Sequence, residues 1–331
     1  MRQISSVTLL ATWLAFASAI LMALPAAAES PAYPTGPVHF VVPYTPGGAS
    51  DNVTRVIAQK LSEIWKVPVI VINRGGAGGS IGTESVARAA PDGYTMLMAT
   101  VGTHGINSSL YRTLPYDPVS DFEPVCLVAS TFAVLAVNPS VPAKSVAELI
   151  AYAQAHPGEL NFGSSGVGTS HHLAGAMFNM LAHVNTTHIP FKGTAEMMVG
   201  LLAGQVQFTF DPAISMIPFV KSGKVRALAV TSPQRSSLLP DLPTMAEAGL
   251  PEYDLQSWYG VLVPAKTPPD IVAKINDGLM RAIRSPDVAK RLDELGAPAI
   301  GGTPAELRAH IQREIKKWAV VVKESGARIN N

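Results

Sequence analysis

Short apolar runs rich in β-branched residues alternate along this chain with segments whose apolar residues recur every three or four positions. The runs at 38–44 (VHFVVPY), 67–73 (VPVIVIN), 94–100 (YTMLMAT), 160–164 (LNFGS), 187–191 (THIPF), 206–210 (VQFTF) and 225–231 (VRALAVT) have the length and composition of strands. Between the first two, Val53, Val56, Ile57, Leu61 and Ile64 fall on one helical face. A helix is predicted over 145–158, with Ser145 as N-cap, Glu148 completing a capping box and Pro157-Gly158 as the stop. Thr303 and Glu306 repeat that start signal for a long terminal helix over 303–326. Thr194 is a third candidate cap. Strands that alternate with helices in this way build a parallel-rich α/β sheet.

Two extended stretches, 122–139 and 253–269, break the alternation. If each passes between two lobes, the chain starts in one lobe, builds the second and returns. The predicted division is 29–125 plus 255–331 for lobe one and 126–254 for lobe two. Two crossings suit hinge bending around a cleft.

The first 28 residues stand outside that plan. One positive residue, Arg2, precedes an apolar run, and Ala26 and Ala28 fit the small-residue pattern of a signal-peptidase site. An uncleaved membrane anchor is the rival reading. Cleavage after Ala28 implies export and removes one of the 25 Lys+Arg residues, leaving 24 against 24 Asp+Glu. The chain has 331 residues, 47 % of them hydrophobic, which is enough for a sizeable core. With only 15 % charged residues and no basic run, a nucleic-acid partner is not expected. Cys126 is the single cysteine and cannot form an internal disulfide; it reads as a small buried hydrophobe.

Four strand ends run into Gly- or Ser-containing loops before helices: 43–51 (PYTPGGASD), 98–111, 161–181 and 208–220. A helix N-terminus offers unpaired N–H groups and the positive end of a dipole, so it can hold an anion without a charged side chain. Each loop also has an ordinary reading as a connection, with Ser50 or Asp51 as a helix cap. Arg74 and Lys192 are further candidate anion contacts. The glycine-rich 74–82 stretch is not a dinucleotide fingerprint, because Ile81 stands where the third glycine is required. It reads as a tight turn into a helix. GSSGVG is not a nucleophile elbow, since Val167 occupies its last glycine position. His171 and His172 are adjacent and point apart on a helix, and His183 and His188 lack a metal-binding context. No metal, cofactor or catalytic acid–base pair is expected.

Taken in order, VVPYTPGGASD, GGAGGSIG, PDGYTMLMAT, NFGSSGVGTSHHLAG, IPFKG, GQVQF, RALAVTSPQRS, LPDLPTMAEAGLPEY and PAKTPP span the chain beyond its leader. Together they resemble the Bug family of periplasmic solute-binding proteins, the receptors of tripartite tricarboxylate transporters. The resemblance implies an α/β, two-lobed type II periplasmic binding ("Venus flytrap") fold, with two parallel-rich sheets joined by two crossing strands. It implies a monomer that captures a small mono- or dicarboxylate between its lobes without chemistry. The implied partners are the membrane subunits of the transporter, or a sensor. Matched onto this chain, lobe one contributes Tyr44, Thr45, Pro46, Gly47, Gly48, Ala49, Ser50 and Asp51, with Thr100 and His104 from the next loop. Lobe two contributes Ser164, Ser165, Gly166, Thr169 and Ser170, with Phe210 and Asp211 near the cleft. Asp51 is expected to cap a helix or accept a water, turned from the anion. The alternative is an exported enzyme acting on a small carboxylic acid.

Overall fold

A computed structural model describes residues 33–253 and 255–327. The leader and its cleavage site lie outside the described residues. Residues from Gly36 onward form one compact unit, and Met1–Thr35 is assigned to another, of which only 33–35 are described.

Nine strands form. They are β1 (Val38–Val42), β2 (Val69–Asn73), β3 (Thr95–Thr100), β4 (Phe122–Val137), β5 (Asn161–Ser164), β6 (Thr187–Pro190), β7 (Phe208–Pro212), β8 (Arg226–Val230) and β9 (Gln256–Pro264). They pair in the order β2-β1-β3-β9-β4-β7-β5-β6, with β8 also on β4. At one end β2, β1 and β3 are parallel, and at the other β6, β5 and β7 are parallel. The stretches that broke the sequence alternation are β4 and β9. They pair antiparallel with each other and join the two parallel groups.

β4 shows why that stretch lacks a hydrophobic–polar alternation. Ala133, Leu135 and Val137 enter one apolar cluster, while Phe132, Val134 and Ala136 enter another. Successive strand residues point to opposite faces, and here both faces are covered. From Phe132 to Val137 the strand therefore has no solvent side to mark with polar residues.

Helices α1 (Ala49–Trp65), α2 (Ser80–Ala87), the single turn α3 (Asn107–Leu110), α4 (Val146–Ala155), α5 (Ser170–Ala182), α6 (Thr194–Leu202), α7 (Ala213–Lys221), α8 (Pro269–Arg284), α9 (Pro286–Glu294) and α10 (Pro304–Ser325) connect and cover the strands. The start of α10 is a full capping box between Thr303 and Glu306. At α4 the Ser145 hydroxyl accepts the Glu148 N–H, but the Glu148 carboxylate reaches the Lys144 N–H instead of closing the box. Thr194 is the first residue of α6, and Gly193 takes the cap position. Cys126 is fully buried, and burial pushes its thiol up to about 12. No helix among the described residues is long and apolar enough to cross a membrane.

Candidate functional site

β1 and β5 each end in a turn that feeds a helix, and the two turns meet across a cleft of about 340 Å³. From the first turn Tyr44, Thr45, Gly48, Ala49 and Ser50 line it; from the second, Ser165, Val167, Gly168, Thr169, Ser170 and His171 do. Gly48 is the N-cap of α1 and has no side chain, so no cap bond covers the first-turn N–H groups beside the cleft. At α5 the cap is Thr169, whose hydroxyl accepts the His172 N–H at 3.4 Å and donates to the Gly166 carbonyl at 2.8 Å. Two helix N-termini, those of α1 and α5, thus border one space. The side-chain hydroxyls of Thr45, Ser50, Ser170 and Ser257 make no hydrogen bond to any described residue, which leaves them available to a ligand.

Asp51 is only 2 % exposed and lies outside the cleft wall. It sits in the first turn of α1, not at its cap. Its carboxylate accepts the Gly47 N–H at 2.9 Å, Arg55 Nε at 3.0 Å and Asn73 Nδ2 at 2.9 Å. The same Asn73 amide reaches the Tyr44 carbonyl at 3.2 Å, which ties both ends of the turn to one point. Burial alone would raise the Asp51 pKa, but the bonds from Arg55, Gly47 and Asn73 hold it below the usual carboxylate value.

The glycine-rich stretch after β2 supports this turn. A Cβ on Gly82 would lie 2.5 Å from the Arg74 carbonyl oxygen and 2.7 Å from Pro43 Cα, both backbone atoms. Only glycine allows α2 to approach Pro43, just before Tyr44, so closely. Gly78 reaches the cleft wall itself, and its carbonyl accepts Asn107 Nδ2 at 3.1 Å.

Thr100 lines the cleft and bonds the Tyr44 hydroxyl at 2.8 Å. A π-helical turn (Gly102–Ile106) follows it, and Gly102, Asn107, Leu110 and Tyr111 complete that wall. His104 does not reach the cleft. It is 0 % exposed, with Nδ1 at 2.9 Å from the Thr103 hydroxyl and its ring 4.9 Å edge-on from Phe122. Burial lowers its pKa to about 3, so it stays a neutral core residue.

The other sequence candidates divide in the same way. Pro46 and Gly47 are exposed and do not line the cleft. Ser164 is buried, bonded to His188 Nε2 at 2.6 Å and to the Gly166 carbonyl at 3.0 Å, so it and Gly166 shape the second turn from behind. Phe210 is core, stacked on Tyr253 at 5.3 Å. Asp211 is 0 % exposed and lies behind His171. Arg74 and Lys192 are exposed and absent from the wall.

Sequence reasoning missed the floor. Ser257, Trp258 and Tyr259 of β9 line the cleft, and so does His171. Trp258 is held by its indole N–H, which donates to Glu314 of α10 at 3.1 Å; Trp318 donates to the same carboxylate at 3.0 Å. The one signal for these residues was their place in a crossing stretch. Which residues of that stretch face the cleft depends on the phase of β9, which the sequence does not give. No Lys, Arg, Asp or Glu lines the cleft among the described residues. What it offers is backbone N–H groups, hydroxyls and an aromatic–aliphatic wall.

The family profile described as "Tripartite tricarboxylate transporter family receptor" matches residues 53–327. Protein BugT of Bordetella pertussis is 36 % identical over 309 residues, covering 93 % of this chain and 94 % of BugT. A solved R. palustris protein with adipate is 39 % identical at a TM-score of 0.81, covering 90 % of this chain and 100 % of that one. MatC from Rhodopseudomonas palustris, with bound malate, is 35 % identical at a TM-score of 0.77, covering 88 % and 100 %. The solved periplasmic binding protein BugD is 36 % identical at 0.78, covering 90 % and 100 %. This chain belongs to the Bug-type receptors of the tripartite tricarboxylate transporter family and has their two-lobed solute-binding fold.

Proposed function

We propose that this protein captures a small mono- or dicarboxylate in the cleft between the two turns and presents it to a tripartite tricarboxylate transporter in the membrane. In this reading the leader is cleaved after Ala28 and the mature chain works in the periplasm. The lobes are 29–125 plus 255–331 and 126–254, and the ligand lies between them. The observation that carries the proposal is the uncharged cleft bordered by two helix N-termini. Backbone N–H groups and hydroxyls at Thr45, Ser50 and Ser170 match a carboxylate, and Leu110, Tyr111, Val167 and Trp258 match a hydrocarbon body. An anion held without a bidentate arginine is bound and still released. Related receptors with adipate and malate support the ligand class.

The alternative of an exported enzyme rests on one observation, the line of side chains Ser165, His171 and Asp211. Ser165 Oγ is 2.6 Å from His171 Nδ1, and Asp211 Oδ1 is 3.4 Å from His171 Nε2. In a serine hydrolase the base meets its serine through Nε2, so the ring here is reversed.

A thermal-shift panel of carboxylates, amino acids and sugars on the mature chain tests both readings. A carboxylate at 100 times its Kd is expected to stabilise the fold by about 2.7 kcal/mol without turnover. Product formation would replace the receptor with the enzyme, and the absence of any shift by a carboxylate would remove the ligand class.

A further inference from the structure

The second turn contains a device that the first lacks. His171, in the first turn of α5, lines the cleft and touches Ser165 on one side and Asp211 on the other. Asp211 Oδ2 also receives the Ser215 hydroxyl, which lies 2.8 Å from the Pro212 carbonyl as well. Asp211 Oδ1 is buried and has no hydrogen-bond partner among the described residues; His171 Nε2 stands 3.4 Å from it.

The proton count on this line fixes what Ser165 shows to a ligand. With Asp211 ionised and His171 neutral, the ring turns Nε2–H toward the carboxylate oxygen 3.4 Å away, and Nδ1 is a bare acceptor. Ser165 must then give its hydroxyl hydrogen to Nδ1, and only lone pairs face the cleft. One added proton, on the ring or on Oδ1 of Asp211, puts a hydrogen on Nδ1. Ser165 then accepts from the ring, and its own O–H turns to the cleft. A carboxylate needs donors, so it is matched by the protonated line and opposed by the unprotonated one.

We propose that His171 and Asp211 form a buried proton-accepting pair behind Ser165, so that the cleft takes up a proton together with its carboxylate. The proposal rests on the reading of the cleft as a carboxylate site, which it deepens. The proton comes from solvent and rests on the His171–Asp211 pair; no covalent bond forms or breaks.

Among the described residues, no other charge acts on the pair. Phe132 and Ala133 of β4, Leu255 just before β9, Ser257 of β9, Ser170 and Ala174 of α5 and Ser215 of α7 pack around it, none of them charged. Val134 of β4 pairs with Asp211 in the sheet. His172 turns away, its Nδ1 accepting the Gly168 N–H and its ring stacking on His188 at 3.8 Å. The electrostatic partner of each member is the other. Burial lowers the His171 pKa and raises that of Asp211, with each opposing charge acting against burial. Both shifts favour a proton shared as a neutral pair over a buried ion pair.

Isothermal titration with adipate and with malate, in HEPES and in Tris from pH 6.5 to 9, tests the proposal. The difference in heat between buffers gives the protons exchanged. Expected is uptake approaching one proton per ligand, with affinity falling by about tenfold per pH unit above the titration of the free pair. In the double variant His171→Gln/Asp211→Asn, which leaves neither member of the pair able to titrate, uptake vanishes and affinity no longer depends on pH. Circular dichroism checks its fold, and if it does not fold, Asp211→Asn is expected to lower the uptake. Histidine ring ¹⁵N shifts of the unmutated protein give a reading independent of variants, with saturating ligand moving His171 Nδ1 from acceptor to protonated. Binding of either ligand with no proton uptake and no pH dependence overturns the proposal and leaves the receptor standing. Uptake undiminished in the variant also overturns it, and failure of both ligands to bind removes the carboxylate reading and this proposal together.

Discussion

The turns after β1 and β5 use one plan, a strand end, a flexible turn and a helix N-terminus, but they treat their carboxylates in opposite ways. Asp51 is locked to Arg55, Asn73 and the Gly47 N–H and faces away from the cleft. Asp211 has no cation except a histidine that burial disfavours. Besides the hydroxyls of Thr45 and Ser50, which no titrating pair controls, the first turn offers backbone donors whose polarity cannot change, because an N–H is never an acceptor. The second adds a hydroxyl whose polarity follows a proton. The general lesson is that a neutral cleft can combine a fixed half and an adjustable half from one backbone motif.

The sharpest way to break this comparison is at the seat of the first turn. Gly82→Ala forces a Cβ against backbone atoms that cannot rotate away, and is expected to cost about 3 kcal/mol in urea unfolding. Gly168→Ala in the second turn meets the Leu110 side chain, which can give, so its cost of about 1–2 kcal/mol arises from its φ of +77°. Equal costs would mean that both turns rest on rigid seats.

Asp51→Ala leaves the Gly47 N–H and the Asn73 amide without their acceptor. It should lower stability by about 2 kcal/mol in the same assay. Thr169→Ala, the corresponding loss in the second turn, removes a helix cap and should cost about 1 kcal/mol.

Acid distinguishes the regions next. Burial lowers the pKa of His104 to about 3 and those of His172 and His188 to about 4. Below pH 6.5 the unfolded chain takes protons that these folded rings refuse, so stability falls with pH, by about 1.4 kcal/mol per unit for fully buried His104 and by less for His172 and His188, which solvent partly screens. That loss runs from 6.5 down to the folded values. The Asp51 carboxyl, held low in the fold, loses its stabilisation in the same direction but in a lower window. Its stabilisation is complete above 3.8 and disappears only as pH falls through its lower folded value. Thermal melts from pH 7 to 3 should therefore fall first by the histidines, and Asp51→Asn should leave the slope between 6.5 and 4.5 unchanged.

The smallest effect is the most local. Ser165→Ala removes one hydrogen bond to a ligand and should weaken carboxylate binding by about fivefold at the acid end of the titration range. At the alkaline end the loss should shrink, because Ser165 there faces the ligand with lone pairs.

Much of the fold was legible because local chemistry fixed it. All nine strands coincide with β-branched runs or with the two extended stretches, and Thr303 and Glu306 announced α10. Position within a turn was less legible. Ser50 and Asp51 looked like caps, yet Gly48 takes that place and leaves its N–H groups to the cleft. His104 and Ser164 sat in promising loops and turned inward, because a loop sequence does not state which side its backbone presents. His171 was read as one of two adjacent histidines. Its partner Asp211 comes from a different strand, so no spacing along the chain could have joined them. The cleft face of Ser257–Tyr259 was hidden for the same reason.

The anchoring of Trp258 has a consequence in time as well as in space. Its indole, a wall of the cleft, is fixed by Glu314 on the last helix, which also holds Trp318. The first wall residue, Tyr44, is made near the start of the chain and must wait for both. Closing contacts so far apart in sequence is slow, because the entropy of the loop is lost before the contact rewards it. A chain interrupted before α10 would hold both turns and still have no finished floor between them. The finished cleft therefore depends on α10 docking against β9, and binding itself reports that this late-made helix is in place.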